Sequence, residues 1–257
     1  MPYDLAVRLR SAVALAGRYP LLAGADLDVR TGEILALKGA NGAGKTSLLR
    51  VIAGLLPLAA GEARVLGLDP TTDARALRRQ VGLLGHRNGL YEDLSAEENV
   101  RFAARAARPP KGAAREALER LGIRDRLAEL PTGKLSAGQR RRVALAALLA
   151  RRPLLWLLDE PHAGLDAEHR ELLDGLLKEV TALGATVVLA SHEILTREVL
   201  ADRVATVSGG MVLDGMVLDG IVLDRLVPGA PDLDGPTPAS PGAGNPAQPD
   251  LEQPSVA

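Results

Sequence analysis

A glycine-rich segment between an apolar run and a helical pattern constrains the fold of this chain more than any other feature. Residues 39–46 read Gly-Ala-Asn-Gly-Ala-Gly-Lys-Thr; they follow a strand-like run over 34–38 and precede the helical pattern from Ser47 to Leu56. Glycines at this spacing let backbone N–H groups close around phosphate oxygens, and the helix adds the partial positive charge of its N-terminus. The pattern predicts a P-loop that binds nucleotide phosphates. Its binding residues are predicted to be Gly39, Asn41, Gly42, Ala43, Gly44, Lys45, Thr46 and Ser47.

Charged and hydroxyl side chains at two places predict the chemistry of this loop. Lys45 is expected to neutralise the β- and γ-phosphate oxygens, and Thr46 is expected to ligate Mg²⁺. The apolar run Leu154–Leu158 ends in Asp159 and Glu160, at the edge where a doubly wound sheet binds ligands. We predict that Asp159 holds Mg²⁺ through its water shell, and that Glu160 polarises the attacking water or accepts its proton.

The order of the remaining patterns predicts an α/β fold. Short β-like runs occupy residues 4–38, at Leu5–Leu9, Val13–Ala16 and Leu27–Val29. Residues 95–151 carry apolar residues at helical spacing, which predicts a helical subdomain over about 88–150. A helix from about Ala167 to Leu183 lies between the Leu154–Leu158 run and the run Thr186–Ala190. This β-α-β alternation predicts a parallel sheet.

The C-terminal part of the sequence has two unusual segments. Met211–Asp224 repeats the unit Met-Val-Leu-Asp-Gly almost three times, which predicts a hairpin at the edge of the fold, closed by an Asp-Gly turn. From Pro228 onward the chain holds eight of its 17 prolines, four acids and no base. Such a composition cannot offset the entropy of ordering. We therefore predict one globular domain over 1–227 and a disordered Pro/Gly-rich acidic tail over 228–257.

Composition excludes several classes of protein. The longest apolar runs, such as Val143–Ala150, contain about eight residues, well below the roughly 20 that a membrane-spanning helix needs. The chain has no cysteine, which excludes disulfides and thiolate metal sites. Met1–Arg10 contains no apolar leader, so cytosolic residence is expected. The net charge of -1 does not favour nucleic-acid binding, and we interpret Arg140–Arg142 and Arg151–Arg152 as a solvated helix face.

A third motif lies between the two phosphate motifs. Residues 135–139 read Leu-Ser-Ala-Gly-Gln and open a helical pattern over Arg140–Ala150. With this motif the chain resembles the ATP-binding-cassette superfamily, whose signature reads LSGGQ and of which Ala137 is a common variant. Pro161–Asp166 is similar to the D-loop of that family, and residues 190–193 are similar to its switch-histidine segment, with His192 as the histidine. The resemblance covers about residues 4–212.

The resemblance implies a cassette fold, with an N-terminal antiparallel β subdomain and a helical subdomain, that binds ATP with Mg²⁺. It implies a homodimer in which two cassettes bind head to tail and each ATP lies between Lys45 of one subunit and the signature of the other. Glu160 would act on the attacking water and His192 on the γ-phosphate, and Asp166 would relay between the two sites. The remaining residues that the resemblance places on the nucleotide are Tyr19, Ser136, Gly138 and Gln139, with Tyr19 stacking on adenine.

Subfamily features resemble the cassette subunit of the haem exporter of cytochrome c biogenesis. They include Leu84-Gly-His before Gly89-Leu-Tyr, and Glu98-Asn-Val-Arg-Phe beyond. The resemblance implies an ATPase that docks on a separate transmembrane permease subunit at the cytoplasmic face of the membrane. Two alternatives are an exporter cassette for a drug or lipid and a non-transport cassette that acts on DNA or ribosomes. The second usually requires two cassettes or long coiled-coil insertions, and neither appears in this chain.

One position departs from the family pattern. Most cassettes place a glutamine after the strand represented by Val81–Leu84, where its side chain reaches Mg²⁺ and couples hydrolysis to the membrane subunit. In this chain His86 occupies that register and Arg87 follows it. The cation Arg87 is unsuited to ligate Mg²⁺. His86 or Asn88 could provide this contact, or water could complete the Mg²⁺ shell.

Overall fold

A computed structural model of the chain describes residues 4–107, 110–191, 200–218 and 221–224. All of them belong to one compact unit, Met1–Leu226. The predicted tail over 228–257 lies outside the described residues. The strands are β1 (Leu5–Ala16), β2 (Tyr19–Arg30), β3 (Ile34–Lys38), β4 (Ala60–Val65), β5 (Val81–Leu84), β6 (Leu155–Asp159), β7 (Thr186–Ala190), β8 (Arg203–Ser208), β9 (Met211–Leu218) and β10 (Ile221–Asp224). The α-helices are α1 (Lys45–Ile52), α2 (Ala74–Gln80), α3 (Ala96–Ala104), α4 (Ala113–Arg120), α5 (Arg126–Glu129), α6 (Ala137–Arg151) and α7 (Ala167–Ala182).

The strands form two sheets, which confirms the predicted α/β cassette fold. The larger sheet has the order β10-β9-β8-β3-β7-β6-β5; its strands from β8 to β5 are parallel, and β9 and β10 are antiparallel. The smaller sheet is antiparallel with the order β2-β1-β4. The strand β3, which leads into the glycine loop, and β6, which ends in the two acids, are separated only by β7.

The two faces of the large sheet contribute to two different cores. On one face, Trp156 and Leu158 of β6 belong to an apolar cluster with residues of α3, α4, α6 and α7. On the other face, Leu155 and Leu157 belong to a cluster with residues of α1 and of the antiparallel sheet. Because successive side chains of a strand point to opposite faces, a strand buried on both sides is apolar at every position, as β6 is before Asp159.

The strands of the antiparallel sheet are longer than the sequence predicts, since β2 spans Tyr19–Arg30 and not only Leu27–Val29. The two β-like runs Leu5–Leu9 and Val13–Ala16 form a single strand, β1, whose pairing with β2 shifts register around Ser11. Ser11 has a φ of 46° and its backbone N–H donates to Asp26 Oδ1 at 2.9 Å. The polar residues that separate the two runs in the sequence therefore form a bulge within one strand.

The predicted helical subdomain consists of α3 to α6 and two short 3₁₀ turns, Arg105–Ala107 and Thr132–Lys134. Asn99 of α3 holds the loop that precedes this helix. Asn99 Oδ1 accepts from Tyr91 N at 2.8 Å, and Asn99 Nδ2 donates to the Tyr91 carbonyl at 3.0 Å. In the part of the chain that the structure describes, no helix is long and apolar enough to cross a bilayer.

The repeated segment forms the edge of the large sheet, as predicted. Strand β9 pairs with β8 and with β10, so the first unit and most of the second lie in one strand. Asp214 and Gly215 therefore do not form a turn, since Gly215 pairs with Val204 of β8. The next Asp-Gly pair, 219–220, lies between β9 and β10 and outside the described residues.

Candidate active site

The glycine loop connects β3 to α1 in a backbone conformation that its glycines permit. Gly39, Gly42 and Gly44 have φ values of 147°, 80° and 113°, which L side chains rarely adopt. A Cβ atom at Gly39 would lie 2.2 Å from the Val207 carbonyl oxygen, and one at Gly44 would lie 2.9 Å from the Leu21 carbonyl oxygen. The chain therefore requires glycine at these two positions for close backbone approach as well as for φ.

The helix begins at Lys45, two residues before the sequence pattern indicates. The Lys45 side chain is 7% exposed and its Nζ donates to the carbonyl oxygens of Gly39 at 2.7 Å and Ala40 at 3.1 Å. It thus lies along the loop itself. Asn41 and Gly42 form the exposed tip of the loop, Ala43 is half-buried, and Ser47 lies half-buried in the first turn of α1.

The two predicted Mg²⁺ ligands that come from different motifs lie next to each other. Thr46 Oγ1 donates to Asp159 Oδ2 at 2.8 Å, and Asp159 is buried at the end of β6. A hydroxyl and a carboxylate oxygen are hard donors of the kind that Mg²⁺ prefers. The donor set and its position beside Lys45 therefore fit a magnesium ion bound to phosphates.

Glu160 follows Asp159 in an unusual backbone conformation. Its φ is 48°, and its backbone N–H donates to the Ala190 carbonyl at 2.8 Å. A non-glycine residue in this region costs of order 1–3 kcal/mol and is found where the surroundings hold it in place. The side chain is half-buried, which leaves part of it exposed to solvent at the end of β6.

The interpretation of Arg140–Arg142 and Arg151 as a solvated face is wrong, whereas Arg152 is exposed. Arg151 is half-buried and its Nη2 donates to the Val81 carbonyl at 3.2 Å. Arg141 is only 4% exposed, and Arg140 and Arg142 are half-buried and donate to main-chain carbonyls. Burial lowers the pKa of Arg141 to about 10, although the negative charges of Asp159 and Glu160 act in the opposite direction. Arg141 is therefore still protonated at neutral pH. The role of this residue was not predicted from the sequence, although Arg141 shares one helix face with Leu145 and Leu148, a signal of burial.

The signature segment is the capped N-terminus of α6. Ser136 is its N-cap: Ser136 Oγ accepts from Gln139 N at 3.2 Å, and Gln139 Oε1 accepts from Ser136 N at 2.8 Å. A Cβ atom at Gly138 would lie 2.6 Å from the Gly164 carbonyl oxygen. The structure therefore brings the signature together with the Pro161–Asp166 segment of the same chain.

Asp166 caps α7. Its Oδ1 accepts from His169 N at 2.9 Å and lies 2.6 Å from His169 Nδ1. The backbone hydrogen bond from His169 is the main reason that the pKa of Asp166 lies below its ordinary value. His162, which the sequence did not single out, is buried between Pro161 and Asp166 with its Nε2 2.6 Å from Asp174 Oδ1.

The three other predicted site residues differ in how they are placed. Tyr19 begins β2, two residues before Leu21, which lies beside Gly44, and its side chain is 79% exposed. His86 is exposed in the segment after β5. His192 lies outside the described residues.

Comparison with known proteins identifies the family of this chain. A profile of the ABC transporter family matches residues 22–163. The cytochrome c biogenesis ATP-binding export protein CcmA of Bordetella bronchiseptica is 46% identical over 180 residues, which cover 68% of this chain and 77% of that protein. The cytochrome c biogenesis ATP-binding export protein CcmA 2 of Cupriavidus metallidurans is 41% identical over 197 residues, which cover 76% of this chain and 93% of that protein.

Solved structures have the same fold. An ATP-binding subunit of an ABC transporter superposes with a TM-score of 0.75 at 28% identity, covering 83% of this chain and 90% of that one. A dimeric ATP-binding cassette in a post-hydrolysis state, bound to ADP and Pi, superposes with a TM-score of 0.74 at 28% identity, covering 80% and 96%. The chain therefore belongs to the ABC transporter family and is an ATP-binding cassette ATPase.

Proposed function

We propose that this chain is the ATPase subunit of the export complex of cytochrome c biogenesis, with haem as the cargo. The observation that carries this proposal is the 46% identity over 180 residues to a cytochrome c biogenesis ATP-binding export protein. The Leu84-Gly-His and Glu98-Asn-Val-Arg-Phe sequences, in which the chain resembles the same subfamily, also support it.

Nucleotide binding is assigned to the glycine loop and Lys45. The N–H groups of the loop and the N-terminus of α1 surround the phosphates, and the Lys45 ammonium neutralises the β- and γ-oxygens. Thr46 and Asp159 would hold Mg²⁺, which when bound draws charge from the phosphate oxygens. The distance of 2.8 Å between the two side-chain oxygens supports this assignment. Tyr19 would stack on adenine.

Hydrolysis is assigned to Glu160, with His192 on the γ-phosphate. Glu160 orients and polarises the attacking water, so most of its contribution is positioning and charge stabilisation. Its position directly after Asp159, beside the carbonyl of Ala190 at the end of β7, supports this role. In this assignment the chemistry depends on how precisely the backbone of Glu160 is held.

The complete site requires a second copy of the chain. Ser136, Gly138 and Gln139 of one subunit would contact the γ-phosphate bound by the other, and Asp166 would connect the two sites. The exposed position of Ser136 at the N-terminus of α6 supports this arrangement, since N-termini of helices attract phosphate. The dimeric state of the cassette with bound ADP and Pi is a precedent for it.

The dimer would dock on a transmembrane permease at the cytoplasmic face of the membrane. The exposed Tyr91 and Phe102, whose rings contact edge to face at 5.2 Å, lie in the helical subdomain where such a partner would bind. His86 would be a further Mg²⁺ contact after β5.

The function is tested by deleting the gene and measuring covalent haem attachment to c-type cytochromes by haem staining. Complementation with the unsubstituted chain should restore staining, whereas Lys45→Ala, which removes nucleotide binding, and Glu160→Gln, which traps bound ATP, should not. Unchanged cytochrome c assembly after the deletion, together with ATP hydrolysis by the purified complex, would contradict haem export and favour another cargo.

A further inference from the structure

A buried guanidinium group lies behind the proposed catalytic residue. Arg141 is in the second turn of α6, five residues after Ser136, and is 4% exposed. An arginine has five N–H donors, and each one that is buried without an acceptor is destabilising. The acceptors that surround Arg141 therefore define what this side chain connects.

One edge of the guanidinium spans the backbone at the end of β6. Arg141 Nη2 donates to the carbonyl oxygens of Asp159 at 2.6 Å and Glu160 at 2.7 Å, and Nε makes a longer contact of 3.4 Å with the carbonyl oxygen of Pro161. These three acceptors are consecutive along the chain. The planar fork of arginine can hold such a set, whereas a lysine ammonium cannot reproduce its geometry.

The other edge holds the segment that follows β5. Arg141 Nη1 donates to the Gly85 carbonyl at 2.8 Å and to Asn88 Oδ1 at 3.1 Å. This segment includes His86 and lies in the register where other cassettes couple hydrolysis to the membrane subunit. The side chain of Arg141 thus joins α6, the segment 85–88 and the backbone of Glu160.

The contact with Glu160 acts on its main chain. Glu160 has a φ of 48°; its N–H is fixed by the Ala190 carbonyl and its carbonyl oxygen by Arg141. Because φ and the direction of the carbonyl determine where the Cα–Cβ bond points, these two hydrogen bonds orient the Glu160 side chain.

We propose that Arg141 is a positioning residue for hydrolysis. It holds Glu160 in its left-handed conformation and transmits a displacement of the segment 85–88 to the attacking water. This inference rests on the proposed role of Glu160 and extends it, since it identifies the group through which the membrane partner would control that residue.

The test compares Arg141→Lys with Arg142→Lys in the complete complex with its membrane subunits. Arg142 is the matched control because its Nη1 donates to the carbonyl oxygens of Leu121 and Gly122, away from Glu160. Arg141→Lys should lower kcat by at least about tenfold and change ATP affinity by less than about threefold, because misplacement of a catalytic group affects turnover and not ground-state binding. Arg142→Lys should leave kcat within about twofold. Equal kcat in Arg141→Lys and the unsubstituted protein would overturn the inference.

A second measurement separates positioning from a general structural role. In a Glu160→Gln background, adding Arg141→Lys should change the residual rate by less than about twofold, because the group that Arg141 orients has already been removed. Effects that multiply independently would overturn the inference, as would loss of ATP binding in both Arg141→Lys and Arg141→Gln. If Glu160→Gln itself hydrolyses ATP at the unsubstituted rate, the proposed role of Glu160 fails as well.

Discussion

Thr46 Oγ1 donates a hydrogen bond of 2.8 Å to Asp159 Oδ2, although the two residues lie 113 positions apart in the chain. Thr46 is the second residue of α1 and Asp159 is the last residue of β6. The contact therefore depends on how the glycine loop is aligned with the neighbouring strands. It brings two oxygen donors to the phosphate side of the sheet. The proposed magnesium site thus depends on the strand order β3-β7-β6 and not on either motif alone.

Replacing Thr46 by valine should weaken ATP binding only when Mg²⁺ is present. Thr46→Val keeps the shape of the side chain and removes the hydroxyl ligand, so we expect about a tenfold loss of affinity with Mg²⁺ and almost none in a chelator. Calorimetric titration with and without the chelator measures the difference. Thr181→Val is the control, because Thr181 Oγ1 donates within α7 to the Leu177 carbonyl. Equal weakening under both conditions would contradict the assignment of Thr46 to the metal.

Two capping boxes among the described residues allow an effect on stability to be distinguished from an effect on function. Ser95 and Ser136 are both N-caps whose Oγ accepts from the N3 backbone N–H, that of Glu98 and of Gln139, at 3.2 Å. Ser95→Ala and Ser136→Ala should each lower the free energy of unfolding by about 0.5–2 kcal/mol. Only Ser136→Ala should also reduce ATP-induced dimerisation, measured by light scattering. A similar loss of dimer in both variants would show that the cap, and not a nucleotide contact, is responsible.

A methyl group at Gly138 should disturb the neighbouring D-loop. Its Cβ would lie 2.6 Å from the Gly164 carbonyl oxygen, whereas a Cβ at Gly175, in α7, would meet nothing within 4 Å. Gly175→Ala should therefore stabilise the fold by up to about 1 kcal/mol and leave turnover unchanged. Gly138→Ala should lower ATP turnover by about 10- to 100-fold because the backbone beside Leu165 and Asp166 must shift. Unchanged turnover in Gly138→Ala would show that this contact has no part in the reaction.

One capping box should make stability depend on acidity. Hydrogen bonding from the backbone N–H of Ser95 is the main cause that lowers the pKa of Glu98 below its ordinary value of 4.5. For a carboxyl group with a depressed pKa, the stabilising contribution is present above 4.5 and is lost as the pH falls through the lower folded-state pKa. Glu98→Gln keeps the cap, as Gln139 does in α6, and should flatten this part of the acid limb in urea unfolding.

The remaining acid dependence of the Glu98→Gln variant has identified sources. Backbone hydrogen bonds also lower the pKa values of Asp69 and Asp166, so their contributions are lost in a similar acidic range. Identical unfolding free energies of the variant and the unsubstituted chain at every pH below 4.5 would contradict the role of Glu98.

The glycine loop and the acids at the end of β6 could be predicted from local sequence motifs. The surroundings of Arg141 depend on contacts between residues that are distant in the sequence. The strand β7 has the predicted bounds, because an apolar run between turn residues identifies a buried parallel strand. The burial of Arg141 could not be derived from residue type, since arginine is usually exposed. Its partners are carbonyl oxygens of Gly85, Asp159 and Glu160, which approach it only when β5 and β6 pair.

Pairing between strands also explains why the first Asp-Gly pair of the repeat does not form the turn that its sequence favours. Asp-Gly favours a turn, yet Asp214 and Gly215 continue β9 because Ala205 and Val204 of β8 are their partners. An available ladder of hydrogen bonds outweighs a turn preference, which amounts to a small free energy for two residues.

The repeated edge has a consequence for how this protein can change over evolutionary time. The unit has five residues, an odd number, whereas side chains alternate faces with a period of two along a strand. Duplication or loss of a single unit by replication slippage therefore moves every side chain beyond it in β9 to the opposite face of the sheet. A change by two units leaves each side chain on its original face and alters only the length of the hairpin. Variation in length at this edge should thus follow the parity of the copy number, with gains and losses of paired units tolerated more readily than single ones.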